Sequence, residues 1–223
     1  MSSALKIFSV ALLLVLSVPT SATDLPFKQP PCEFSGAFTQ NKFISALDAP
    51  LSSTGRFYHH CNYGVIWSTL EPIQQTLVMQ KAGNGFLVDQ SGHKKLTSRQ
   101  SKFLNKLLND LMGADPDLLT QQFKINEVSE NHFELKPSTR RLKRGVKQIE
   151  LQFNDESLTI NIIDRNSQRT EIITKQDNVF ELGTITEQNC EASIKEAPCS
   201  LLLDSALSPL ESEFKGLEKE IEN

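Results

Sequence analysis

His59, His60 and Cys61 form the densest group of side chains in this sequence that could carry chemistry. Successive side chains of a strand point to opposite faces, so His59 and His60 cannot easily face one metal ion. A cysteine beside an imidazole is a possible thiol nucleophile, but a cysteine with an available partner in an exported chain is usually oxidised. His93 and His132 are isolated. We therefore predict neither a histidine metal site nor a reactive thiol, and we interpret these histidines as surface or strand-end residues.

The sequence also lacks the motifs of other common reactions. It contains no G-x-S-x-G elbow, no glycine loop for a phosphate and no paired-carboxylate pattern. A basic run, RRLKRG at positions 140–145, lies between two predicted strands. It fits either a solvated hairpin loop or a site for an anionic partner or lipid headgroup. We expect no enzyme activity, no metal and no cofactor.

Composition limits the class of protein. The 223 residues carry 23 Lys and Arg against 27 Asp and Glu, a net charge of −4, which argues against nucleic-acid binding. A hydrophobic fraction of 39% argues against disorder, and 10 Gly and 10 Pro without a period exclude a collagen-like fibre. The composition predicts one mildly acidic globular domain of roughly 200 residues.

The first 22 residues have the pattern of a secretory signal peptide. Lys6 precedes an apolar run at 7–18, and Pro19 is followed by the small residues Thr20, Ser21 and Ala22. The run is shorter than the roughly 20 residues that span a bilayer, although an uncleaved N-terminal anchor is the alternative. We predict that the mature chain begins near Thr23 and is soluble after export.

The four cysteines suit disulfides better than a zinc or redox site. They are Cys32, Cys61, Cys190 and Cys199. Four cysteines allow three connectivities, and the spacing contains no C-x-x-C pair. A hairpin that folds about Asp48 would place Cys61 opposite Ser35, with Cys32 a few residues further along. This register favours the local pairing of Cys32 with Cys61 and of Cys190 with Cys199.

Alternating apolar and polar residues predict a meander of short strands through most of the chain. The alternation occurs at 34–40, 55–59, 65–67, 76–79, 86–88, 123–126, 132–136, 148–153, 158–162 and 169–173. Between Ser98 and Leu111 the apolar period changes to three and four residues, which predicts an amphipathic helix that ends at Gly113. Further helical segments are predicted from Asp115 through Leu119 and from Ser208 to Ile221.

Two architectures fit strands interrupted by a single amphipathic helix. One is a closed barrel with a helical plug, and the other is a curved open sheet with the helix across its concave face. A bent antiparallel sheet exposes an apolar inner face that another element must cover, and this helix is the obvious cover. If the cover packs loosely, the space beneath it is a ligand cavity.

Several short motifs occur in a recognisable order. They are FSGAFTQ at 34–40, STGRF at 53–57, GVIW at 64–67, EP at 71–72, FELKP at 133–137, IEL at 149–151, LTINIID at 158–164 and QRT at 168–170. In order and spacing they resemble the periplasmic outer-membrane lipoprotein carrier family, LolA. The resemblance implies a mainly β (α+β) fold, a curved antiparallel sheet that forms a half-open β-barrel with a helical lid. It also implies a monomeric carrier in the periplasm of a Gram-negative bacterium.

The resemblance assigns roles to the apolar residues. The expected lipid-binding cavity consists of Phe38, Phe57, Trp67, Met79, Phe133, Leu135, Leu151, Phe153, Ile160 and Ile162. The expected lid residues are Phe103, Leu107, Leu108 and Leu111. The cargo would be the acyl chains of lipoproteins or another lipid. An inner-membrane transporter and an outer-membrane acceptor are the partners that the family implies.

Three differences from the family suggest a divergent member. The segment from Asp24 to Pro31 is too short and proline-rich for the usual first helix. Cys61 occupies the position of the arginine that latches the lid, and the tail beyond Thr186 is unlike that of the main carriers. We expect a signal peptide at 1–22, the half-open barrel at 23–190 and a partly helical extension at 191–223.

Two other functions remain open at this stage. A LolA-like protein can be the lipid-binding accessory protein of an exporter of lipid-linked products. A related half-open barrel can also act as a lipid-sensing module with a membrane partner.

Overall fold

The computed structural model describes residues 30–97, 108–113, 116–181 and 186–204. Within these ranges eleven strands form one antiparallel sheet with the order β6-β5-β4-β3-β2-β1-β11-β10-β9-β8-β7. The strands are β1 (Glu33–Phe43), β2 (Leu51–His60), β3 (Gly64–Glu71), β4 (Gln75–Gln80), β5 (Gly85–Asp89), β6 (Gly92–Lys95), β7 (Phe123–Ser129), β8 (His132–Pro137), β9 (Val146–Asn154), β10 (Ser157–Asp164) and β11 (Arg169–Val179). The two edge strands do not pair, so the curved sheet is a half-open barrel and the closed-barrel alternative is wrong.

Four α-helices have residues in the described ranges. The described part of α1 is residues 108–112, and it is followed by α2 (Pro116–Gln122), α3 (Thr186–Ser193) and α4 (Cys199–Leu203). The predicted end of α1 is confirmed, because the Gly113 N–H donates to the Asn109 carbonyl at 2.8 Å. Residues 98–107 of the predicted helix, and the predicted helix from Ser208, lie outside the described residues. No helix in the described ranges is long and apolar enough to cross a membrane.

The β1–β2 register corrects the hairpin predicted from the sequence. Ser35 pairs with Tyr58, not with Cys61, because the chain turns earlier than Asp48: the Leu47 N–H donates to the Ile44 carbonyl. This register places Cys32 directly opposite Cys61, whose N–H donates to the Cys32 carbonyl at 2.7 Å. The two cysteines form a disulfide with Cα atoms 4.8 Å apart.

The concave face of the sheet carries the larger apolar core, which we call the inner core. Period-2 alternation places these side chains on one face, as the sequence predicts. Its buried members are Phe34, Phe38, Phe57, Trp67, Leu111, Met112, Leu119, Phe123, Phe133, Leu135, Leu142, Val146, Ile149, Leu151, Ile160 and Ile172. Leu111 and Met112 come from α1, so this helix covers part of the concave face.

Two glycines let aromatic rings lie flat across β1 and β2. Gly36 pairs with Phe57, and Gly55 pairs with Phe38. A Cβ at Gly36 would lie 2.8 Å from the Phe57 ring and 2.1 Å from the Lys175 carbonyl oxygen. A Cβ at Gly55 would lie 2.7 Å from the Phe38 ring. Each ring therefore covers a glycine on the neighbouring strand, an arrangement suited to a strongly curved sheet.

The convex face carries a second core, which we call the outer core. Helices α3 and α4 pack there against β2 to β5, and the Cys190–Cys199 disulfide joins them with Cα atoms 6.0 Å apart. The sequence did not predict these helices at 186–203, because they lack the apolar periodicity of α1. The buried members of the outer core are Tyr58, Ile66, Val78, Cys190, Ile194, Cys199 and Leu202.

Polar contacts fix the two helices to the convex face. The buried Glu33 carboxylate accepts hydrogen bonds from the Tyr58 hydroxyl at 2.6 Å and from the Asn189 amide at 2.9 Å. Burial and this carboxylate raise the pKa of Tyr58, so the hydroxyl stays protonated as a donor. Arg56 donates to the Ser193 carbonyl at 2.7 Å and pairs with Asp177. The outer core is thus closed by side chains from four elements, β1, β2, β11 and α3.

We predict that Gly36→Ala destabilises the fold by about 3 kcal/mol, because the new methyl group must displace both the Phe57 ring and the β11 backbone. Thr39→Ala, at an exposed position of the same strand, is the matched control and should cost less than about 1 kcal/mol. Urea unfolding measures both. Equal stability of Gly36→Ala and the parent would show that the ring does not lie across this glycine.

Candidate binding cavity

A cavity of about 740 Å³ opens at one end of the sheet, between the concave face and α1. Its walls come from the start of β1, the ends of β2 and β11, and the turns β7–β8 and β9–β10. The lining residues are Pro30, Pro31, Phe34, Phe57, Leu111, Met112, Asn131, Phe153, Asn154, Asp155, Glu156, Ser157, Leu158, Thr174, Gln176 and Val179. We call this the main cavity. The end of the sheet at which the cavity opens is called the mouth end.

The main cavity has an apolar interior and a polar rim. Phe34 and Phe57 from the sheet face Leu111 and Met112 from α1. The rim is the exposed β9–β10 turn at 154–157, with Asn131 beside it. A volume between 300 and 1,000 Å³ with mostly apolar walls and a few polar groups is typical of a small-molecule or lipid site.

A second, much smaller void of about 20 Å³ lies between α1 and strands β3, β10 and β11. All its lining residues are apolar: Trp67, Leu108, Leu111, Met112, Ile160, Ile162 and Ile172. Because no polar group faces this void, a water molecule would find no partner there. Leu111 and Met112 line both spaces, so α1 is the partition between them.

The structure distributes the ten predicted cavity residues over several environments. Phe57 and Phe153 line the main cavity, and Trp67, Ile160 and Ile162 line the small void. The others, apart from one, belong to the inner core without lining either space: Phe38, Phe133, Leu135 and Leu151. Met79 is buried outside the inner core, where its sulfur lies next to Gly85.

Two of the four predicted lid residues are described. Leu111 lines both spaces and Leu108 lines the small void, whereas Phe103 and Leu107 lie outside the described residues. The sequence analysis missed Met112, although it follows Leu108 at the four-residue spacing of the same helical face. It also missed Phe34, which shares its strand face with Phe38, and Pro30 and Pro31 before β1.

Polar and apolar contacts both hold the described part of α1 in place. The Gln122 side-chain amide, from the end of α2, donates to the Asp110 carboxylate, and both residues are buried. Gly113, after α1, packs against the His59 ring: a Cβ there would lie 3.4 Å from Nε2. The remaining contacts of α1 with the inner core are apolar.

His59 and His60 are the last two residues of β2, in agreement with the strand-end interpretation, but the alternative that they are surface residues is wrong. Both are buried, with His59 only 3% exposed on the concave face and His60 8% exposed on the convex face. The His59 ring centroid lies 4.9 Å from that of Phe34, and its Nδ1 has no hydrogen-bond partner among the described residues. Burial, and to a lesser extent the charge of Lys81, lowers the pKa of His59 to about 3.

The sulfur and imidazole groups of Cys32, His60 and Cys61 lie within 4.8 Å of one another. Both sulfurs belong to the disulfide, and a metal requires thiolates. The His60 Nδ1 accepts a hydrogen bond from the Asn62 N–H at 3.1 Å. With the disulfide intact, this group therefore lacks the donor atoms of a thiolate metal site.

Acidification should destabilise the fold through His59. Between pH 6.5 and pH 3 the unfolded histidine binds a proton that the buried ring, with a pKa of about 3, does not. The free energy of unfolding therefore falls as the pH falls through this window, by up to about 1.4 kcal/mol per pH unit.

Urea unfolding at several pH values tests this prediction. His59→Leu should flatten the profile, although the lowered pKa of His60 keeps part of the slope. The exposed His93 provides the control substitution His93→Gln, which should leave the slope unchanged. An equal slope in His59→Leu and the parent would contradict the burial of a neutral ring at this position.

The sequence matches a family model, and the structure has neighbours of low identity among solved structures. The sequence model of the family described as "Outer membrane lipoprotein carrier protein LolA" matches residues 32–180. A LolA superfamily protein from Nitrosomonas europaea is similar at 12% identity and a TM-score of 0.40, covering 69% of this chain and 88% of the other. A putative outer membrane lipoprotein-sorting protein domain from Vibrio parahaemolyticus is similar at 9% identity and a TM-score of 0.39, covering 72% and 90%.

No curated protein matches the sequence. The family match extends over most of the chain, from the first disulfide-bonded cysteine to the end of β11. It includes every strand of the sheet and all of the described part of α1. The chain therefore belongs to the LolA family of outer membrane lipoprotein carrier proteins.

Proposed function

We propose that this protein is a periplasmic carrier that binds the acyl chains of lipoproteins, or of another lipid, in the main cavity and carries them toward the outer membrane. The observation that carries the proposal is an apolar cavity of about 740 Å³, open at one end, beneath a helix of a LolA-family chain. An acyl chain needs only apolar walls of sufficient size, which the main cavity provides.

The free energy gained by burying an acyl chain can exceed the free energy that holds α1 on the concave face. Each buried methylene contributes about 0.8 kcal/mol, so a chain of roughly a dozen carbons gains about 10 kcal/mol before the cost of ordering it. Displacing α1 would join the main cavity to the small void and expose Trp67, Ile160 and Ile162 to the cargo. Under this proposal these three residues contact the lipid only when α1 has moved.

The expected processing and partners belong to the same proposal. Removal of residues 1–22 would release a soluble chain that begins near Thr23, with the barrel at 23–190 and an extension at 191–223. An inner-membrane transporter would load this monomeric carrier, and an outer-membrane acceptor would receive the cargo. The proposal assigns the protein no catalytic step and no cofactor.

One observation favours a second candidate within the same class. Cys61 stands where the resemblance places the arginine latch of the lid, and it is bonded to Cys32. Without that latch, apolar packing and the contact between Asp110 and Gln122 hold α1. A helix held in this way also fits a protein with a different cargo. Such a protein would act as the accessory protein of an exporter of lipid-linked products, or as a lipid-sensing module.

Uptake of a fluorescent acyl probe by Leu108→Lys tests the carrier proposal. A lysine at this half-buried position of α1 places a charge beside the small void, so we expect at least a tenfold weaker Kd. Leu201→Lys makes the same change at a half-buried position in the outer core. It should reduce thermal stability without weakening binding of the probe. Circular dichroism confirms that both variants fold.

Two results would contradict the proposal. One is a parent protein that takes up no acyl probe. The other is equal loss of binding in Leu108→Lys and Leu201→Lys, because it would show that binding depends on general stability rather than on the cover of the concave face.

A further inference from the structure

The sheet has a second end, opposite the mouth end. The basic run at 140–145 lies at this second end. This end carries the turns β1–β2, β3–β4, β5–β6, β8–β9 and β10–β11, whereas the mouth end carries the turns β2–β3, β4–β5, β7–β8 and β9–β10. We call it the basic end. Residues 137–149, which contain the β8–β9 turn, include five cations and no acid: Arg140, Arg141, Lys143, Arg144 and Lys147.

This concentration of charge contrasts with the rest of the protein. The whole chain has 23 Lys and Arg against 27 Asp and Glu. All five cations of the β8–β9 turn are exposed, and Arg140, Lys143 and Arg144 form no ion pair with any described residue. In this mildly acidic protein, residues 137–149 therefore form a strongly positive segment. A local concentration of exposed cations attracts an anionic surface.

The fold holds these cations in fixed positions. Leu142, in the middle of the run, is buried in the inner core, and a 3₁₀ turn at Leu142–Arg144 directs its neighbours outward. Arg165, in the adjacent β10–β11 turn, donates to the Lys143 carbonyl and adds a sixth exposed cation. The acid of that turn, Asp164, accepts backbone N–H groups of Asn166 and Gln168 at 2.8 and 2.9 Å. The two turns form one basic surface.

Exposed apolar side chains lie next to this surface. The β1–β2 turn neighbours the β10–β11 turn because β1 pairs with β11, and Leu47 and Leu51 at that turn are 48% and 54% exposed. Cations bordered by exposed leucines suit the interface of an anionic bilayer, where cations meet headgroups and leucines enter the acyl boundary. An acidic protein would use the cations but would leave these leucines without a function.

We propose that the basic end docks reversibly on the anionic phospholipid headgroups of a membrane surface. In this orientation the mouth end faces away from the docked membrane, so that docking and uptake of cargo use opposite ends of the sheet. The inference goes beyond the carrier proposal and does not depend on it, because docking requires no occupant in the main cavity.

Co-sedimentation of the full mature chain with vesicles tests the docking. Vesicles of phosphatidylcholine with 30% phosphatidylglycerol should bind the parent at low salt, whereas pure phosphatidylcholine vesicles should not. Raising the ionic strength to 0.5 M should release the protein, because exposed charges are then screened beyond about 4 Å. Binding to the zwitterionic vesicles with equal strength would overturn the proposal.

Matched triple variants locate the docking surface. Arg140→Gln, Lys143→Gln and Arg144→Gln together should weaken vesicle binding by at least about tenfold. Lys81→Gln, Lys175→Gln and Lys195→Gln together change the net charge equally at exposed positions away from the basic end, and should weaken it by less than about threefold. Equal effects of the two triples would overturn the proposal.

Two further measurements separate this proposal from its rivals. If the parent ignores anionic vesicles but binds a polyglutamate peptide, the basic end is a protein-binding surface and the membrane proposal is wrong. Uptake of the acyl probe should be the same in both triples and in the parent. Loss of docking with intact probe uptake therefore supports the docking independently, whereas absence of probe uptake contradicts only the carrier proposal.

Discussion

The structure depends on one constraint: an antiparallel sheet that does not close leaves a large apolar face that another element must cover. The strong curvature of β1 and β2, where Phe57 and Phe38 lie across Gly36 and Gly55, turns this face into a concave wall. Leu111 and Met112 of α1 cover part of the wall, and the rest remains as the main cavity. Binding capacity therefore follows from incomplete coverage rather than from a set of reactive groups.

The two faces of the sheet are closed in different ways. On the convex face, the Cys190–Cys199 disulfide, the Arg56 contacts and the buried Glu33 carboxylate attach α3 and α4 to the strands. On the concave face, the described part of α1 packs its apolar side chains on the inner core, and Asp110 accepts a hydrogen bond from Gln122. Apolar packing is non-directional, so an acyl chain can replace it, whereas buried hydrogen bonds would be left unsatisfied if they were broken.

Period-2 alternation is a local property, and it predicted most strands and the face on which each aromatic residue lies. The β1–β2 register depends on a turn, and the chain turned at 44–47 instead of at Asp48, which moved the partner of Ser35 by three residues. The cysteine pair is nevertheless in register, because the actual turn aligns Cys32 with Cys61. The burial of His59 depends on a cover from a distant segment, which alternation within β2 cannot reveal.

The residues that line the cavity were harder to predict than the face of the sheet on which they lie. Strand pattern places Phe38 and Phe133 on the concave face, but only three-dimensional packing shows that they lie in the inner core, away from the main cavity. Met79 shares the same face but is buried next to Gly85 of the neighbouring strand β5, outside the inner core. Helices α3 and α4 were missed because their attachment uses a disulfide and polar contacts, which leave no apolar periodicity in the sequence.

Quenching of the single tryptophan by a brominated acyl lipid tests most directly whether acyl chains occupy the space beneath α1. Trp67 lines the small void and stacks on Phe57, which lines the main cavity, with ring centroids 6.0 Å apart, so its fluorescence reports on the space beneath α1. We expect strong quenching by the brominated lipid and none by its unbrominated counterpart of equal affinity. Saturable binding of the brominated lipid without quenching of Trp67 would place the acyl chain elsewhere. It would contradict the binding of acyl chains between the concave face and α1.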